Sequence, residues 1–151
     1  MKIVVMAALC LALLAGCAKP QAEAPESGFV QMVNPLVTVE SLEEMEAKLG
    51  YAVPALDKDV ASYIVLVYDG APQQGRIRYA DGADFDMKRG TGDVSGIYGG
   101  TLEKEETVGS VAVSVMTYDG IRYALWEKDG FTYCLTGGDD LLQEVAVLIE
   151  K

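Results

Sequence analysis

Four Asp-Gly pairs, at 69–70, 81–82, 119–120 and 129–130, each separate one alternating apolar–polar stretch of this chain from the next. Asp-Gly readily adopts the positive φ angles that a tight hairpin needs, so the pattern predicts an antiparallel sheet of consecutive hairpins. At Asp81-Gly82 the alternation selects the loop. A two-residue loop would pair Tyr79 with Asp84 and mix apolar with charged residues on one face. A three-residue loop, Ala80-Asp81-Gly82, pairs Ile77 with Phe85, Arg78 with Asp84 and Arg76 with Asp86, and sorts both faces around a bulged Gly82.

The same loop applied to Tyr118-Asp119-Gly120 sets Val115 against Tyr123 and Val113 against Leu125. Applied to Lys128-Asp129-Gly130, it sets Leu125 against Tyr133 and Tyr123 against Leu135. The expected core face then carries Val113, Val115, Tyr123, Leu125, Tyr133 and Leu135. The opposite face carries Met116, Arg122, Ala124, Trp126, Thr132 and Cys134. Further strands over 63–68 and 102–108 complete a meander of about six strands, and the Tyr-Asp-Gly repeat at 68 and 118 reads as shared turn chemistry.

Helical spacing appears at both ends of the sheet region. Ser41-Leu42-Glu43-Glu44 has the form of a capping box, with Leu42, Met45 and Leu49 on one side and Gly50 as the stop. After Asp139 or Asp140 as N-cap, Leu141, Leu142, Val145, Leu148 and Ile149 share a face. The predicted fold is therefore α+β, with an N-terminal and a C-terminal helix packed on one face of the sheet.

The first sixteen residues read as a leader outside this fold. Lys2 precedes an uncharged apolar run over 3–16 that is short for a membrane span but has the length of a signal-peptide core. It ends in Leu14-Ala15-Gly16-Cys17, which resembles the bacterial lipobox and implies cleavage before Cys17 and lipidation of its sulfur. Two acyl chains on that cysteine would anchor the protein stably in a membrane. Residues 17–29 are polar, contain prolines and lack periodicity, so they read as a flexible tether. A single domain occupies 30–151. These features predict an exported, lipid-anchored protein facing the extracytoplasmic side.

Composition removes several functions. With 23 acidic and 12 basic residues the net charge is −11, which offers no face for a nucleic acid. The absence of histidine removes Ser-His and Cys-His nucleophile pairs and imidazole metal sites. Ser95, Ser110 and Ser114 lack a nucleophile elbow and a base, and Cys134 lacks a sequence partner. Asp81, Asp84 and Asp86 do not have calcium-loop spacing and acquire cross-strand arginines, so no metal or cofactor is expected. Glu103, Glu105 and Glu106 read as the wet face of an edge strand.

Two features remain as candidate binding elements. One is the face carrying Met116, Arg122, Trp126, Thr132 and Cys134, where the only tryptophan would sit outside the core or over a second small one. The other is the glycine-rich segment from Arg89 through Asp93 and Tyr98 to Gly100, read as an exposed irregular loop because it lacks the ending and the following helix of a phosphate loop.

Asn34-Pro35, Ser41-Leu42-Glu43-Glu44, Leu49-Gly50-Tyr51, Ile77-Arg78-Tyr79, the segment from Arg89 to Gly96, Ala124-Leu125-Trp126 and Asp129-Gly130-Phe131-Thr132-Tyr133 occur in that order. Together they resemble a domain family of unknown function found in bacterial lipoproteins and in extracytoplasmic parts of anti-sigma-like membrane proteins. The resemblance covers about 34–150 and rests on turns, a cap and core aromatics. It implies an extracytoplasmic α+β domain for binding or sensing and transfers no catalytic residue. The expected function is a non-enzymatic binding or sensing module that uses the Trp126 face, the 89–100 loop, or both to contact a protein or another cell-envelope component. The alternatives are a small carrier of lipid or another hydrophobic ligand, with its sheet curled over a cavity, and a carboxylate-dependent envelope hydrolase.

Overall fold

The computed structural model describes residues Asn34–Lys151. The expected leader, the Cys17 lipidation site and the tether lie outside the described residues.

Eight strands form one antiparallel sheet. They are β1 (Leu36–Val39), β2 (Val60–Tyr68), β3 (Ala71–Tyr79), β4 (Asp84–Arg89), β5 (Thr101–Val108), β6 (Val111–Tyr118), β7 (Ile121–Lys128) and β8 (Phe131–Thr136). Helix α1 (Leu42–Leu49) follows β1, and α2 (Leu141–Glu150) follows β8. The strand count exceeds the expected six or so. The sheet is also not one continuous meander, because its order is β1-β2-β3-β4-β8-β7-β6-β5. Two four-stranded meanders thus meet where β4 pairs with β8. The 90–100 segment must carry the chain from β4, past three strands, to the far edge. The two Tyr-Asp-Gly turns occupy equivalent places, β2–β3 and β6–β7.

Turn chemistry sets the registers. At Ala80-Asp81-Gly82 only Gly82 has positive φ, and the pairs Arg76–Asp86, Ile77–Phe85 and Arg78–Asp84 form as expected. The other two loops differ from the expectation. Asp119 and Gly120 both have positive φ, as do Asp129 and Gly130, which is the signature of a two-residue type I′ turn. Val113 therefore faces Trp126, Val115 faces Ala124, Trp126 faces Tyr133 and Ala124 faces Leu135. A one-residue slip exchanges the faces of a whole strand. Ala124 and Trp126 point into the helix-side core, and Tyr123 and Leu125 point to the opposite side.

The main core lies between the sheet and the helices. Met45, Leu141, Val145 and Leu148 pack with Val65, Ile77, Phe85, Val113, Val115, Trp126 and Leu135. Trp126 stacks on Tyr133 with centroids 5.2 Å apart and rings 8° from parallel. Gly75 lets α1 lie close to β3, since a Cβ there would sit 2.8 Å from Leu49 Cδ1. Ser41 Oγ accepts from Glu44 N, whereas the Glu44 carboxylate reaches past the cap residue to Glu40 N. Asp140 occupies the N-cap position of α2 without a side-chain cap bond.

Both sheet edges are blunted. The amide of Leu36 in β1 and that of Glu40 just after it donate to Asn34 Oδ1 and Glu44 Oε2. At the other edge, β5 carries exposed Glu103, Glu105 and Glu106, as the wet-edge reading expected.

Candidate functional site

The sheet face away from the helices is crossed by the 90–100 segment. This segment is a strap with a small core of its own, not an exposed irregular loop. Val94 is buried over Tyr123 and Cys134, and Ile97, Met116 and Leu125 pack around them. Gln74 Nε2 donates to the Val94 carbonyl at 3.0 Å, and Thr132 Oγ1 donates to the Gly90 carbonyl at 2.6 Å. Lys88 Nζ donates to the Asp93 carbonyl at 3.2 Å. Two local turns shape the segment, with Ser95 N donating to Asp93 Oδ1 and Ile97 N donating to Ser95 Oγ. Where the strap meets β5, a Cβ on Gly100 would stand 1.9 Å from Tyr123 Oη, so a glycine is needed for this approach.

Under the strap lies a charged network. Asp86 is 2% exposed, and its Oδ1 accepts from Gln74 Nε2 at 2.7 Å and Arg76 Nε at 2.8 Å. Burial raises its carboxyl pKa to about 6, against the opposing pull of Arg76. The expected Arg76–Asp86 pair is thus present but buried, unlike the exposed Arg78–Asp84 pair. Burial likewise pushes the Cys134 thiol well above its ordinary value, so its reactive thiolate is suppressed.

These placements rearrange the candidate binding residues. Met116, Thr132 and Cys134 share the strap side; Thr132 and Cys134 are buried there and Met116 is partly buried. Arg122 belongs to the helix side and forms a two-pronged ion pair with Glu103 at 2.9 Å. Arg89 lies over Tyr51 and Phe131, with its guanidinium carbon 5.7 and 5.4 Å from their centroids. Tyr51 is pushed up to about 12 by burial, despite the nearby Arg89 charge. Tyr98 projects from the strap, 90% exposed.

Beside the strap a groove of about 450 Å³ is lined by Gly92, Asp93, Ala112, Ser114, Leu125, Trp126, Glu127 and Thr132. It brings together Asp93 of the expected loop and Thr132 of the expected face; Trp126 also borders it, but its side chain points away into the helix-side core. Sequence reasoning missed Leu125 and Glu127 as lining residues because the slipped register assigned β7 to the wrong sides, and missed Ala112 and Ser114 because small residues on the correctly sided β6 carried no binding signal.

Two other hollows are distinct from this groove. A polar one of about 480 Å³ at the start of α2 contains Lys58, Asp81, Asp84, Asp139, Asp140 and Glu144. Lys58 bridges Asp81 and Glu144 there, and Arg78 holds Asp84, so several of its acids serve as ion-pair partners. An apolar one of about 400 Å³ lies between the 52–54 segment, α2 and the sheet, with Met87, Phe131, Tyr133 and Leu148 in its wall. Among the described residues no group of three or more potential ligands is placed to hold a metal. No described helix is long and apolar enough to cross a membrane.

The geometry defines an α+β domain that uses one sheet face for its main core and presents a strapped, grooved face on the other. Comparison with family models, curated proteins and solved structures finds no match to this chain.

Proposed function

We propose that this protein is a membrane-anchored extracytoplasmic lipoprotein whose domain is a non-enzymatic interaction module, with the strap-side groove as its contact surface. The observation that carries the binding reading is the groove itself. It is an open concavity with apolar Leu125 and Ala112 beside polar Asp93, Ser114, Glu127 and Thr132, built on a rigid sheet and bounded by a pinned strap. The anchor reading rests on the leader and Leu14-Ala15-Gly16-Cys17. The non-enzymatic reading rests on a sequence without histidine and on acids engaged in ion pairs.

A carrier role is the second reading, favoured by the apolar hollow beneath the 52–54 segment. At about 400 Å³ it lies near the lower end of small-ligand pockets.

The test is native mass spectrometry of protein extracted from its own membranes under mild conditions, with Ala112→Trp in parallel. Ala112 is exposed in the groove, so tryptophan fills the groove without entering the core. A stoichiometric protein companion that the variant loses supports the interaction module. A retained mass of lipid size supports the carrier, and a bare monomer in both samples overturns the interaction reading.

A further inference from the structure

We propose that the partner bound on the strap side is a cationic amphipathic segment of another protein, a conclusion that rests on the interaction reading above. Four large apolar side chains stand exposed toward one end of this face: Tyr98 at 90%, Leu102 at 51%, Ile121 at 48% and Tyr118 at 45%. Register places three of them side by side. Tyr118 pairs with Ile121, and Leu102 pairs with Met116, two residues before Tyr118. The strap arrives at the same place, since a Cβ on Gly99 would lie 3.8 Å from the Tyr118 ring. Exposed apolar residues grouped in this way, beside a groove, mark a contact surface.

Charge selects the occupant. Asp93, Glu105 and Glu127 are exposed along the strap side of this half of the sheet, and Asp119 lies at its end. Among the described residues, the strap side of β5 through β8 and the 90–100 strap present no lysine or arginine. Lys104, Arg122 and Lys128 belong to the helix side by register, and Lys88 of neighbouring β4 is tied to the Asp93 carbonyl. The surface therefore combines apolar anchors with net negative charge: Lys88 stands beside Asp93, but Glu105 and Glu127 have no ion-pair partner among the described residues, and such a surface complements lysines or arginines interleaved with leucine-like residues.

Geometry adds a mode. The charged β5 edge disfavours strand addition, so the segment lies across the sheet face. From Tyr118 to Ala112 β6 runs about 20 Å, with Met116 between them packed against the strap, and a helix of about 14 residues has the same length.

The probe is a fluorescent 14-residue amphipathic Leu/Lys peptide, titrated into the full chain held in neutral nanodiscs, with empty discs as the blank. The expected result is binding at least tenfold tighter than that of a Leu/Glu peptide of the same pattern, weakening with salt. Glu105→Lys with Glu127→Lys should weaken it at least tenfold with an unchanged circular dichroism spectrum, and Ile121→Ser should weaken it independently. Equal affinity for the two peptides, or indifference to these substitutions, overturns the proposal. Binding to anionic vesicles in place of the peptide, or self-association of the chain, also overturns it. A native companion whose retention ignores Glu105→Lys/Glu127→Lys would reject the cationic partner and leave the interaction module standing.

Discussion

Gln74 ties the strap to the sheet: its side-chain Nε2 donates both to the Val94 carbonyl at 3.0 Å and to buried Asp86 Oδ1 at 2.7 Å. The glutamine thus joins the charged network under the strap to the peptide group of the residue that plugs the second core. Removing it leaves a buried carbonyl and a buried carboxylate each short of a donor. Gln74→Ala should cost about 1–3 kcal/mol. Hydrogen exchange should quicken across 91–97 before it does in β7 or β8, and uniform protection loss would contradict a local fastening.

Asp86 makes stability pH-dependent in an unusual direction. An unfolded aspartate titrates near 3.9, whereas burial raises this one to about 6 in the folded protein. Between those values the folded state binds more protons, so this group's contribution to stability falls as pH rises through that window and returns on acidification. Asp86→Asn removes the effect. Urea titrations at pH 4.5 and pH 7 should show the variant gaining on the parent at the higher pH, by on the order of 2 kcal/mol. A pH-independent difference would show that Asp86 titrates normally.

Trp126 distinguishes the two registers of β7 and β8. In the register adopted it is 3% exposed and stacked on Tyr133, so Trp126→Ala should cost about 3–5 kcal/mol in chemical denaturation. A loss below about 1 kcal/mol would fit the outer-face position instead.

Gly100 and Tyr123 form a pair that only glycine permits, because any Cβ at 100 would meet the phenol oxygen at 1.9 Å. Gly100→Ala should destabilise by about 1–3 kcal/mol through overpacking. Adding Tyr123→Phe removes the clashing oxygen, so the double variant should be more stable than the sum of the single effects predicts. Strict additivity would place the two apart.

The parts of the fold that the sequence specified strongly were those with one wet face. At Asp81-Gly82, charged Arg76, Arg78, Asp84 and Asp86 alternate with Ile77 and Phe85, and only one register sorts them. Around Tyr123-Ala124-Leu125-Trp126 the alternation disappears, because the strap buries the second face as well. A strand covered on both sides reads as a continuous apolar run and gives no clue to its register. The turn chemistry had to decide, and Asp119 and Asp129 enter the left-handed region while Asp81 does not. The crossover was hidden for a related reason: the 90–100 segment is mostly glycine and polar, and only Val94 and Ile97 reveal that it packs. Asp93 and Thr132 could be read as candidates from loop and strand position, but their meeting in one groove required the β4-to-β5 crossing.

The central claim is that the strap-side groove is the contact surface, and site-specific photo-crosslinking in native membranes tests it most directly. A photoreactive phenylalanine analogue replaces Ala112 in the groove or, as the control, exposed Ala47 on α1 across the sheet. A discrete protein adduct from position 112 and none from position 47 is the predicted result. No adduct at 112, or equal adducts at both positions, would contradict it.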